Sequence, residues 1–361
     1  MNNLGGDEWR SWVGNHERSA IYRPLMKGHA SLAFALQGGG SYGAFTWGVL
    51  DGFLEAGIRP AGLSGTSAGA LNAAALAAGW TADGPEGARA ALRALWEGIG
   101  RMNAPLQPPW RSDGFFRGQA LKAVTQTVSP YQFNPAGFNP LRQLLGACLD
   151  WDALRAENAL PVFIAATDVQ TGRLRLFQRH ELSVDALLAS TCIPTLFQAV
   201  EIDGRFYWDG GYAANPALLP LVRAGHSSDL MLIQLLPEYS PEVPPRGVDG
   251  IMQRAREMGF STHLLSELHW LALMQKEAGW FGRWSLSGLH RRMAMLRFHH
   301  LDGGAVLTRQ SGSTPLSTDG FSLEALHDAG QDAARRWLQD HGSSLGRRSS
   351  RPLSDFAAGP S

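Results

Sequence analysis

The chain has 361 residues, of which 44% are hydrophobic and 18% charged, with Lys+Arg and Asp+Glu both at 32. That length holds one large domain or two ordinary ones, and that composition excludes global disorder. The balanced charge gives no reason to expect a nucleic-acid partner, and two cysteines, Cys148 and Cys192, make neither a disulfide framework nor a metal cluster.

Residues 1–30 are polar and irregular and read as an arm lying on the domain. They lack a basic stretch leading into an apolar one, and no run of 18 apolar residues follows anywhere, so the expected location is the cytoplasm. Ser31–Gln37 is a short apolar run ending in glycines, the mark of a buried strand. Gly43–Ala56 carries Ala44, Val49, Leu50, Phe53 and Leu54 at helical spacing and stops at Gly57. Ile58–Ser64 reads as a second strand, and the alanine-rich Ala68–Trp80 as a helix. Strand, tight turn and helix, twice over, predict an α/β fold: a sandwich around a largely parallel sheet.

Pro85–Ile99 continues as a helix. Residues 102–140 are rich in proline and aromatics around one helical piece near 116–127, and read as an insertion or lid. Leu160–Asp168 and Leu174–Gln178 read as strands, Val184–Ser190 as a helix, Val200–Trp208 as a hairpin turning at Asp203-Gly204, and Leu230–Leu236 as a buried strand. The α/β domain is thus expected over 31–245. Residues 246–341 read as a helical C-terminal region, and 342–361 as a disordered tail. Trp270, Trp280, Phe281 and Trp284 lie among arginines in that region. Their expected place is a helix packed on the domain, with peripheral membrane contact as the alternative.

Two glycine motifs carry the chemistry. FALQGGGSYGAF contains Gly38-x-Gly40-x-x-Gly43, a pattern that can cradle a pyrophosphate. That reading needs an acidic residue at the end of the next strand. GLSGTSAG stands there instead. Gly65-Thr66-Ser67-Ala68-Gly69 is G-x-S-x-G between a strand and a helix, the setting of a nucleophile elbow, although a serine there can also simply cap the helix. A serine attacking an ester makes an oxyanion, which needs backbone N–H groups already aimed at it. Gly38, Gly39, Gly40 and Ser41 suit that task, with the N–H of Ala68 as a further donor. His226, His263, His269, His290, His299, His300 and His327 follow the elbow, none in a motif-like setting. A carboxylate is better placed. Asp209 leaves an apolar strand at Gly210-Gly211 in FYWDGGYAANP.

GGGSYG, GTSAG and LLASTCIPTLFQAVEIDGRFYWDGG, in that order between Leu32 and Leu236, resemble the patatin-like phospholipases. The resemblance implies a three-layer α/β/α sandwich and a lipid acyl hydrolase. It gives Ser67 the role of nucleophile, Asp209 that of its base, and the glycine loop that of oxyanion hole, with Gly43, Gly65, Gly69, Gly210 and Gly211 as supporting glycines. Neither a histidine, a metal nor a cofactor is implied. Tyr42 stands where many members carry a cation. It is read as a substrate contact, leaving neutral esters or aliphatic polyesters as substrates beside phospholipids. A lipid- or partner-binding protein on the same fold is the rival from another class, and the sequence is silent on oligomeric state.

Overall fold

The computed structural model describes residues 30–103, 128–237, 244–309 and 320–357. The arm expected before residue 30, the helical piece near 116–127 and the centre of the 102–140 insertion lie outside the described residues.

Strand β1 (Ser31–Leu36) is buried on both faces. Leu32, Phe34 and Leu36 enter one layer and Ala33 and Ala35 the other, as the period of two requires. Helix α1 (Gly43–Glu55) follows, then β2 (Arg59–Thr66) and the long α2 (Ala68–Asn103). The last is two arms rather than one rod. Asp83 and Gly84 leave the helical region, Gly84 with φ +56°, and Pro85 opens the second arm. The arms lie so close that a β-carbon on Gly79 would meet the carbonyl oxygen of Gly87 at 2.2 Å.

Three short helices, α3 (Pro130–Phe133), α4 (Pro140–Cys148) and α5 (Trp151–Arg155), lead to β3 (Val162–Asp168) and β4 (Leu174–Gln178). Helix α6 (Val184–Ser190), β5 (Val200–Ile202), β6 (Arg205–Asp209) and β7 (Asp229–Gln234) follow as expected, with a further helix, α7 (Leu219–Ala224), before β7. Then come α8 (Val248–Ala278), α9 (Gly288–Met295), β8 (Arg297–Asp302), α10 (Gly304–Arg309) and α11 (Gly320–His341).

One sheet holds the strands in the order β5-β6-β3-β2-β1-β7-β8, with β4 also paired to β3. The run β3-β2-β1-β7-β8 is parallel, and β4, β5 and β6 make the antiparallel pairs. Helices α1, α2, α6 and α11 cover one face; α7, α8 and α9 cover the other. This is the expected three-layer α/β/α sandwich.

Two expectations on the C-terminal part are corrected, and a third, a helix packed on the domain, is met. It is mostly helical, yet it also supplies β8 to the central sheet. The stretch His299-His300 hid that strand, because both histidines are paired inside: His299 Nε2 lies 2.9 Å from Asp229 Oδ1, and His300 Nε2 lies 3.0 Å from Gln234 Oε1. Residues 342–357 are not a disordered tail. The N–H of Gly346 donates to Asp229 at 3.0 Å, Arg351 reaches His300 at 2.8 Å, and Leu353 is fully buried in the core under α8. Few apolar residues mark that segment, because polar bonds hold most of it. Finally, α8 packs on the domain through Leu264, Leu268 and Leu271, while Trp270, Trp280, Phe281 and Trp284 are exposed, Phe281 at 84%. Arg283 stacks on the Trp280 ring, its guanidinium carbon 3.6 Å from the ring centroid.

Candidate active site

Parallel strands β1 and β2 end side by side, and the two glycine motifs leave from those ends. Ser67 follows β2 with φ +54°, a left-handed conformation that an L-residue holds only when its surroundings impose it. The surroundings are tight. A β-carbon on Gly65 would meet the carbonyl oxygen of Gly69 at 2.3 Å, and one on Gly69 would meet that of Leu36 at 2.1 Å. The Ser67 N–H donates to Ser190 Oγ at 3.0 Å, so the end of α6 fixes the elbow from the side.

The glycine loop is held as firmly. Gln37, fully buried, accepts at Oε1 from the N–H groups of Leu235 and Leu236 at 2.7 and 2.8 Å, tying the ends of β1 and β7. Gly40 adopts φ +60°, and residues Gly40–Tyr42 make one 3-10 turn into α1. Gly43 lets the start of α1 meet α2, since a β-carbon there would lie 2.6 Å from that of Ala68. Asn72 clamps the same junction, donating to Gly43 O at 2.9 Å and accepting from Trp96 Nε1 at 2.8 Å.

Asp209 ends β6, beside β3, and is 1% exposed. Its backbone is pinned: its N–H donates to Cys192 O at 2.8 Å, and Thr167 Oγ1 donates to its carbonyl at 2.8 Å. Carboxylate oxygen Oδ1 accepts from Gly211 N–H at 2.8 Å, and Oδ2 is buried without a hydrogen-bond partner among the described residues. Burial pushes this carboxyl up to about 7, against smaller opposing effects of the Gly211 N–H and the Ser67 hydroxyl. Ser67 thus lies near the acid without a hydrogen bond of full geometry, as is common before substrate binds.

The expected site residues therefore come together from three separate segments, with one correction. Gly38 is not a free donor: its N–H gives a 2.7 Å bond to Asn215 Oδ1. The glycine is required there because a β-carbon would lie 2.7 Å from Thr66 O and 2.8 Å from Ser67 Cβ. Ser41 is buried within the 3-10 turn. The N–H groups of Gly39, Gly40 and Ala68 have no acceptor among the described residues. Tyr42 is half-buried, and burial and the nearby Glu257 both raise its pKa.

Asn215, Ser190 and Phe260 were not singled out in the sequence. Ser190 lies inside a block that carries the resemblance and Asn215 in the stretch FYWDGGYAANP, yet only their partners reveal them, 123 and 177 residues away in the chain. Among the described residues, no histidine is hydrogen-bonded to Ser67 or Asp209. The buried Asp229–His299 pair has a catalytic look, but Asp229 starts β7 whereas Ser67 follows the opposite end of the parallel β2. His327 is bound to Asp51, between α1 and α11.

The chain is similar to several known proteins. The chain is 44% identical over 64 residues to a patatin-like phospholipase domain-containing protein of Cryptococcus neoformans, a match covering 18% of this chain and 7% of that one. It is 29% identical over 202 residues to an uncharacterized NTE family protein of Mycobacterium tuberculosis (56% and 48% of the two chains), and 26% identical over 244 residues to the uncharacterized protein YjjU of Escherichia coli (61% and 56%). The chain spans at most about half the length of these curated relatives. VipD from Legionella pneumophila superposes with TM-score 0.42 at 14% identity, over 87% of this chain and 67% of that one. The family model for patatin-like phospholipase matches residues 34–222, more than half of the chain, with the glycine loop, the Ser67 turn and Asp209 inside it, and the chain belongs to that family.

Proposed function

We propose that this protein is a serine acyl hydrolase that cleaves carboxylic esters of lipid type through Ser67 and Asp209. The observation that carries the reading is the Asp209 carboxyl: buried, raised to about 7, with Oδ2 unpartnered and the Ser67 hydroxyl beside it. A carboxylate with that pKa is a competent base at neutral pH. Asp209 takes the hydroxyl proton as Ser67 Oγ attacks the acyl carbonyl. The oxyanion forms against the N–H groups of Gly39, Gly40 and Ala68. Collapse expels the alcohol, which leaves with the proton held by Asp209. Water, deprotonated by the same carboxylate, then attacks the acyl-serine and releases the acid.

The substrate reading follows from the loop's surroundings. Tyr42 and Glu257 stand at the glycine loop, and neither brings a positive charge to pair with an anionic phosphate. Neutral esters, acylglycerols or aliphatic polyesters fit that setting. Ser67→Ala is expected to leave a folded protein with esterase activity near background and no fluorophosphonate labelling. Asp209→Asn is expected to be nearly as inactive, while a panel of p-nitrophenyl and glycerol esters is cleaved by the wild type at least as well as anionic phospholipids. A fully labelled Ser67→Ala protein would overturn the assignment.

A further inference from the structure

The half-buried ring of Phe260, on α8, meets the candidate site from beyond the segment that the family model matches. A β-carbon on Gly211 would lie 2.2 Å from Phe260 Cδ1 and Cε1, so the ring rests on the Gly211 backbone itself. It also packs against Tyr212, with centroids 4.9 Å apart. Gly211 is the residue whose N–H holds Asp209 Oδ1. One apolar ring therefore covers the peptide that grips the carboxylate. Helix α8 has no freedom to lift away cheaply: further along it Glu267 Oε1 accepts from Leu218 N and Leu219 N at 3.0 and 2.7 Å, and Leu264 and Leu268 are buried.

We infer that Phe260 is a positioning residue for the candidate base: with Tyr212 it keeps water from the Asp209 carboxyl and holds the Gly211 N–H on Oδ1. The inference rests on the proposed role of Asp209. An apolar cover disfavours the charged carboxylate, so removing it lowers the pKa of the acid. The titratable groups around the carboxyl are the Ser67 hydroxyl from the elbow, Cys192 from the turn after α6, and Tyr212 from its own turn. Helix α8 brings Arg256 towards Tyr212 and Glu257 towards Tyr42. None of these is removed when Phe260 is changed.

The test uses the full chain. The Asp209 carboxyl is titrated by carbon-13 NMR in the inactive Ser67→Ala background, its signal assigned by loss in Asp209→Asn. Phe260→Ala is expected to move the midpoint down by about one unit or more, and Phe260→Leu by less, because a smaller apolar group still excludes some water. In the active protein the acid limb of kcat/KM moves the same way, and kcat at neutral pH falls as the base weakens. If Phe260→Ala fails to fold, Phe260→Leu and Tyr212→Ala carry the comparison. An unmoved Asp209 midpoint in a folded variant would overturn the inference and leave the proposed function standing. Full activity in Asp209→Asn would instead remove the proposed function, and the NMR titration distinguishes the two outcomes because it needs no turnover.

Discussion

Asp209 sits where a carboxylate is costly, and stability should show it. Its pKa rises from 3.8 to about 7 on folding, chiefly by burial. Between those values the folded state holds a proton that the unfolded state has released, so stability falls as pH rises through this window. Asparagine has nearly the same shape and no charge. Asp209→Asn should therefore melt above the wild type at pH 8 and match it at pH 4, in scanning calorimetry at the two pH values. Equal melting temperatures at pH 8 would mean that the carboxyl is not strained. Ser67 and Asp209 were legible in the sequence as candidates because each stands next to glycines that its own turn demands. Asn215, Ser190 and Phe260 were not, since an asparagine, a serine and a phenylalanine are common anywhere and each acts on a residue far away in the chain.

At the scale of elements, polar partners decide what apolar periodicity could not. Strands β1 to β7 were visible as apolar runs between turn residues, and their helices as repeats near 3.6. β8 was not, because His299 and His300 interrupt the pattern and become buried only through Asp229, Gln234 and Arg351. Burial and then the charge of Arg351 hold His300 down to about 3, so it stays neutral in its strand. Asp229 behaves oppositely. Burial would raise its pKa, but His299, the paired Arg297 guanidinium and the Gly346 N–H together hold it well below the usual carboxylate range. The segment after α11 supplies two of these contacts and one apolar peg, Leu353. Leu353→Ala should cost about 2–4 kcal/mol in urea unfolding, the usual loss for an aliphatic side chain cut from a packed core. A loss near zero would mean that the segment only rests on the surface.

At the scale of the molecule, the protein has two unlike poles. Strands β1, β2 and β7 deliver the glycine loop, the elbow and Leu235 to one end. Helix α8 starts near that end, with Phe260 at Gly211, and runs to Ala278 at the other, about 27 Å further on at 1.5 Å per residue. There Gln275 bonds to Leu296 O just before β8, and the exposed Trp280, Phe281 and Trp284 follow. Those rings lie at the end of the sheet opposite to Ser67. Replacing Trp280, Phe281 and Trp284 together with serine should leave kcat/KM for a water-soluble p-nitrophenyl ester within about twofold, and should make the protein less prone to associate, as removal of an exposed apolar patch does. A large loss of turnover on that soluble ester would show that the two poles are coupled.

The place of β1 in the sheet has a consequence for where this protein can be divided. β1 lies between β2 and β7, and the family model ends at residue 222, before β7 begins at Asp229. A fragment cut at that point would keep the serine, the loop and the aspartate. It would also carry a bare row of N–H and C=O groups along the middle strand of the native sheet, a template for pairing with any other chain. The limit of the family model is thus no seam in the structure. The segment that it matches holds Ser67, Asp209 and the glycine loop, and the chain beyond it closes the sheet they stand on.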